Sequence, residues 1–175
     1  GQAGAQAVHS LRAGGFGGRI ALVGEEPHPP YQRPPLSKKH RSGEIDDEAL
    51  HLRPLSFYEQ NAIDCHLGKE VEAIDREMRA VLLAGGEQLP YERLIIATGT
   101  RPRALPIAGA ELPGVVTLRK ISDVEAMRPL LREPGRVAIV GGGYIGLEVA
   151  AVARTMGHEV SVIEAQDRVM KRVVS

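Results

Sequence analysis

The 175-residue chain balances 22 basic against 22 acidic residues, holds a single cysteine and is only 3% aromatic. No basic patch marks it for nucleic acid or a membrane surface. One cysteine excludes a disulfide framework and points to a reducing compartment, the cytoplasm. No apolar run reaches the roughly 20 residues of a membrane span, and no signal peptide is visible. The 20 glycines and 12 prolines suit a turn-rich α/β enzyme with Val, Ile, Leu and Ala cores.

Gly1-Gln2-Ala3-Gly4 has the form of the last four positions of a GxGxxG motif. Ala7, Val8 and Leu11 follow at helical spacing, and Gly14-Gly15 ends that helix. Arg19 to Val23 reads as a strand, and Glu25 stands just beyond it, about 20 residues past the glycines, where an acid accepts from a ribose 2′-OH. Two readings stand for this first unit, a dinucleotide site and a plain helix start. The proline-rich stretch Pro27 to Lys38 excludes helix or central strand before Pro35. Pro35-Leu36-Ser37-Lys38 can open a short helix.

Asp46 to Leu52 reads as loop, Pro54 to Asn61 as helix and Ile63 to Leu67 as strand. Cys65 reads as a small buried residue rather than a nucleophile. His40, His51 and His66 lack metal-ligand spacing, and no metal site is expected. Val71 to Asp75, Arg79 to Leu83 and Gln88-Leu89 form an antiparallel meander. The apolar run Leu94 to Ala97 reads as a buried parallel strand, ended by Thr98-Gly99, where a ligand can come close. Pro102, Pro106 and Pro113 mark a linker, with a domain boundary near Leu105. Ser122 is the expected N-cap of a helix from Asp123 to Leu131, with Glu125 completing a capping box.

The densest signal is Val137 to Glu148. A strand, Arg136 to Val140, leads into Gly141-x-Gly143-x-x-Gly146 and then a helix, Leu147 to Met156, stopped by Gly157. The first glycine permits a tight turn, the second lets backbone approach a pyrophosphate, and the third lets helix and strand pack closely. The phosphates would sit at the helix N-terminus. A second strand, Glu159 to Ile163, ends in Glu164, at the ribose-binding position. The fold class is therefore α/β, with two Rossmann-like dinucleotide-binding units, both incomplete, and a meander in the first. Residues 1–105 form the first unit and 106–175 the second, as pieces of a longer protein.

Tyr31-Gln32-Arg33-Pro34-Pro35-Leu36-Ser37-Lys38, Ile95-Ile96-Ala97-Thr98-Gly99 and Gly141 to Glu148 together resemble the FAD-dependent NADH:ferredoxin reductases. The resemblance implies a flavoprotein that passes electrons from NADH through FAD to a [2Fe–2S] ferredoxin and so, indirectly, to an oxygenase. It implies that Gly1, Ala3 and Gly4 lie on the FAD pyrophosphate and Glu25 on its ribose. Arg33, Val71, Ala97, Thr98, Gly99 and Arg119 line the FAD, with Val71 acting through its backbone. The resemblance also implies that Lys38 would sit against the isoalloxazine and that Glu148 would approach the flavin–nicotinamide contact, where it could pair with Lys38. Gly141, Gly143, Tyr144, Ile145, Gly146 and Glu164 hold NADH. Glu164 would repel the extra phosphate of NADP, an argument that nearby Arg168 and Arg172 weaken. Lys38-Lys39-His40-Arg41 either helps dock an acidic ferredoxin or is simply solvated.

A dithiol reductase of this fold would need a second cysteine near the first, and Cys65 stands alone. The alternatives are a rubredoxin reductase, a flavoprotein of the apoptosis-inducing-factor type, and a non-catalytic nucleotide-binding fragment.

Overall fold

The computed structural model describes residues 1–37 and 48–171. It divides into two compact units, Gly1–Gln32 with His51–Thr100, and Arg33–Leu50 with Arg101–Ser175. Among the described residues no helix is long and apolar enough to cross a membrane.

The first unit opens with α1, Gln2–Ala13, which buries Gly4, Ala5 and Val8. It packs on β1, Ile20–Gly24. The chain returns through α2, Leu55–Gln60, to β2, Ile63–Leu67, which lies parallel to β1 with Ile20 opposite Ile63. Parallel pairing needs such a crossover, because a tight turn reverses the strand. Val8, Ile20, Tyr58 and Ile63 form the core, with Leu11, Leu22, Phe57 and Cys65 around it. Antiparallel strands β3, Val71–Asp75, β4, Ala80–Leu83, and β5, Gln88–Pro90, make the expected meander. The β3–β4 turn is tied by Asp75, whose Oδ1 accepts from the N–H groups of Glu77 at 2.9 Å and Met78 at 2.8 Å.

Arg12 holds this unit together in a way the motifs did not announce. Its Nε donates to the Asn61 carbonyl at 2.7 Å and its Nη2 to Ala62 at 3.0 Å. Its Nη1 donates to Phe16 at 2.6 Å and Gly18 at 2.8 Å. One guanidinium thus satisfies the carbonyls of both turns that precede the parallel strands.

The run Leu94 to Ala97 differs from expectation. It joins no strand, and Ile95 and Ile96 are 60% and 68% exposed. An apolar run becomes a buried strand only where a neighbour supplies a ladder and a covering layer. No described strand pairs with this one.

In the second unit a 3-10 turn spans Pro34–Ser37. The chain continues through α3, Ile121–Leu130, β6, Arg136–Val140, α4, Tyr144–Thr155, and β7, Glu159–Ile163. Strands β6 and β7 are parallel, with Val140 opposite Ile163, and α4 packs on both. Met127, Leu131 and Val149 form the core, flanked by Leu118, Val137 and Ile139. Helix α3 starts earlier than expected. Asp123, not Glu125, closes its first turn, its Oδ2 accepting from the N–H groups of Arg119 and Lys120 at 2.7 and 2.8 Å. The fully buried Ile121 draws Ser122 inside the helix, so Ser122 is not the cap.

His158 is 1% exposed and ties three segments. Its Nδ1 accepts from the Gly135 N–H at 3.1 Å, so Nε2 carries the proton donated to the Leu131 carbonyl, also at 3.1 Å.

Burial raises the pKa of two weak acids in and around the first core. Burial pushes the Tyr58 hydroxyl above the ordinary phenol range; Cys65 adds to this and Arg53 opposes it. Burial, then Asp64, pushes the Cys65 thiol up. Both groups favour the protonated form when folded. Their contribution to stability is fully present below the unfolded values and is lost as pH rises through the folded ones. The Tyr58 hydroxyl is also buried without a hydrogen-bond partner among the described residues. Tyr58→Phe is therefore expected to be neutral or to stabilise by up to about 1 kcal/mol at pH 7. It should also reduce the alkaline loss of stability. Denaturant midpoints of both proteins at pH 7 and about pH 10 check this.

Candidate dinucleotide and flavin sites

The glycine turn between β6 and α4 has the geometry its spacing demands. Gly141 has φ +110°, a conformation open to glycine and costly for other residues. A Cβ on Gly146 would lie 2.0 Å from the Gly141 carbonyl oxygen and 3.3 Å from Ile139. Only a hydrogen fits there. A Cβ on Gly143 would meet nothing within 4 Å, so this backbone faces open space. Helix α4 begins at Tyr144, earlier than the expected Leu147, and the first helical bond runs from the Leu147 N–H to the Gly143 carbonyl at 3.0 Å. The N–H groups of the first turn precede the helical ladder and have no helical acceptor. They include Tyr144 and Ile145, whose side chains are 57% and 56% exposed.

Glu164 stands at the rim of this turn. Its Oε2 accepts from the Gly142 N–H at 2.8 Å and its Oε1 from the Gln166 N–H at 2.9 Å. A carboxylate at this place is an acceptor suited to a ribose hydroxyl. Gly141, Gly142, Gly143, Glu164, Gln166, Met170 and Lys171 line one concavity of about 280 Å³.

Part of this wall escaped the motif. The segment after Glu164 folds back, and the Met170 N–H donates to the Gly142 carbonyl at 2.9 Å, with Met170 at φ +60°. A Cβ on Gly142 would strike Val169 at 2.8 Å. Gly142 is thus more crowded than Gly143 though less than Gly146, and the one hint in the sequence was the tripled glycine.

In the first unit, Gly1 precedes α1, whose first helical bond joins the Ala5 N–H to the Gly1 carbonyl at 3.0 Å. A Cβ on Gly4 would touch Leu22 at 3.4 Å and Ala97 at 3.9 Å, so Gly4 lies where α1 approaches β1 and the 94–97 segment, while its neighbour Ala3 is exposed. Glu25 is exposed at the end of β1. The carbonyls on either side of it, Gly24 and Glu26, accept from Lys69 at 2.9 Å and Gly68 at 3.0 Å. That brings the start of β3, and Val71 with it, to the Glu25 turn. Thr98 and Gly99 follow outside any helix or strand, Gly99 at φ +72°.

Three further candidates belong to the second unit. Arg33 Nη1 donates to the Arg119 carbonyl at 2.6 Å. Arg119 Nε is buried without a partner among the described residues, a donor that a bound carbonyl or anion would satisfy. Glu148, on the second turn of α4, accepts from the Ser37 hydroxyl at 2.5 Å. Lys38, its expected partner, lies outside the described residues, as do Lys39, His40, Arg41 and Arg172. Cys65 is half-buried on β2, and its raised thiol fits a packing role. Among the described residues no cluster of His, Cys, Asp or Glu is arranged to hold a metal.

Comparison with known proteins agrees with this geometry. Rhodocoxin reductase of Rhodococcus erythropolis is 46% identical over the whole chain, which spans 41% of that protein. Rubredoxin-NAD(+) reductase of Pseudomonas putida is 45% identical over the whole chain, which spans 46% of it. The crystal structure of the ferredoxin reductase for the CYP199A2 system from Rhodopseudomonas palustris superposes with a TM-score of 0.93 at 44% identity. That match covers 99% of this chain and 43% of the other. The chain therefore spans less than half the length of these relatives. The family model described as pyridine nucleotide-disulphide oxidoreductase matches residues 1–175, and the chain belongs to that family.

Proposed function

We propose that the parent protein passes electrons from NADH through FAD to a [2Fe–2S] ferredoxin that serves an oxygenase, in the cytoplasm. The observation that carries the reading is the β6–α4 turn. Its forced glycines, open backbone at Gly143 and anchored Glu164 suit a pyrophosphate and a ribose diol. Residues 1–105 serve the FAD and 106–175 the NADH. Gly1, Ala3 and Gly4 offer a helix N-terminus to the FAD pyrophosphate, and Glu25 its carboxylate to the ribose. Val71, Ala97, Thr98, Gly99, Arg33 and Arg119 border the FAD. Gly141, Gly143, Tyr144, Ile145 and Gly146 carry the NADH pyrophosphate. Lys38 and Glu148 are assigned to the flavin–nicotinamide contact, where their opposite charges would tune the electrostatics. FAD supplies the conversion of a two-electron donor into single electrons, and the protein supplies orientation and charge.

Support comes from the names of the relatives, a rhodocoxin reductase and a ferredoxin reductase among them. A rubredoxin reductase is the second reading, because a protein so named is 45% identical over the same span. Steady-state turnover of the full-length protein with NADH and each acceptor separates them. The ferredoxin reading expects reduction of cytochrome c that depends on added [2Fe–2S] ferredoxin. Faster turnover with rubredoxin transfers the assignment, and turnover with neither sinks both.

Glu164 sets the nucleotide preference in this account. Glu164→Ala is expected to lower NADH affinity about tenfold, through loss of a charge-assisted hydrogen bond, while NADPH gains. An unchanged ratio of kcat/KM for the two nucleotides would contradict this placement.

A further inference from the structure

We infer that Ser37 is a positioning residue that fixes the Glu148 carboxylate. The inference rests on the reading of Glu148 as flavin-facing. Ser37 closes the 3-10 turn Pro34–Ser37 and is 3% exposed. Two consecutive proline rings limit the backbone of this turn. The Leu36 N–H donates to the Arg33 carbonyl at 3.0 Å, and Arg33 Nη1 in turn holds the Arg119 carbonyl. The hydroxyl therefore sits on a rigid base.

That hydroxyl has one proton and two acceptors in reach, the Pro34 carbonyl at 3.1 Å and Glu148 Oε2 at 2.5 Å. The proton goes to the carboxylate, because the shorter bond to a charged acceptor is the stronger one. The bond spans 111 residues of sequence and joins the proline loop to the helix that follows the glycine turn. A carboxylate near a flavin acts through its distance and direction, so a buried donor that fixes one oxygen sets that effect. Alanine at position 37 removes this donor from the carboxylate. Threonine keeps the hydroxyl.

The test uses the full-length flavoprotein and two readouts, the flavin midpoint potential and the rate of flavin reduction by NADH in stopped flow. Ser37→Ala should shift the potential in the same direction as Glu148→Gln and slow reduction about tenfold, the loss of one charge-assisted bond. Ser37→Thr should stay near the parent in both. In the double variant Ser37→Ala/Glu148→Gln, the serine change should add nothing to the glutamine change. If the alanine variant fails to fold with flavin, Ser37→Cys replaces it, being near in shape but a weak donor, and the same order is expected. The inference fails if Glu148→Gln moves the potential while the position-37 variant does not, or if the two effects simply add. If Glu148→Gln itself leaves potential and rate unmoved, the flavin-facing reading of Glu148 falls, and the inference with it.

Discussion

Gly146→Ala is expected to destabilise the protein by about 3 kcal/mol or more and to abolish measurable NADH binding. The added Cβ would sit 2.0 Å from the Gly141 carbonyl oxygen, a backbone atom that no rotamer change can move. Relief requires the first turn of α4 to lift from β6, which opens the packing of Val149 on Val137 and Ile139. Gly143→Ala is the matched comparison. Its Cβ enters open space from an extended backbone at φ −85°, so stability should change by less than about 1 kcal/mol. NADH affinity should still fall at least about tenfold, because that space is where the dinucleotide backbone would run. Thermal unfolding and fluorescence titration of the two variants separate the glycine that the fold needs from the glycine that the ligand needs. Equal stability losses in the two would contradict the distinction.

Arg12→Ala should cost about 2 to 4 kcal/mol in denaturant unfolding. Four carbonyls lose their shared donor, and a net hydrogen bond to a charged group is worth about 1.5 to 3 kcal/mol before solvent exposure discounts it. Ala62 carries φ +49°, so one of the two turns is already under strain that the guanidinium offsets. Arg12→Lys should recover less than half, since an ammonium cannot reach four acceptors spread over two turns. Arg19→Ala is the contrast. Arg19 also pairs across the strands, with Asp64 at 3.3 Å, but its side chain is 89% exposed. Its loss should change stability by less than about 0.5 kcal/mol.

These two residues show what was legible and what was not. The glycine spacing carries its own geometry, so turn, helix and strand around residues 136–163 followed from the sequence, the start of α4 to within three residues. The meander was legible for the same reason, through alternation and turn residues. Arg12 looked like any basic residue in a last helical turn, because its acceptors belong to residues up to 50 positions away. Ser37 and Glu148 lay in motifs already singled out, yet nothing in either motif says that they touch. The run Leu94 to Ala97 departs from its expected strand for a related reason. Apolar character states what a segment would bury, but only a neighbouring strand decides whether it does. Asp123 displaced Glu125 as the capping acid because the burial of Ile121 set where α3 begins. The fold-back of Val169 and Met170 onto Gly142 has no local signature beyond an extra glycine.

The central claim is that these two glycine units carry FAD and NADH in one electron path. Anaerobic addition of NADH to the purified full-length protein, followed by visible absorbance, tests it most directly. The account predicts oxidised-flavin bands that bleach on NADH addition, far faster than with NADPH. A protein that shows no flavin bands and takes up no added FAD would contradict it, as would bound flavin that NADH leaves oxidised.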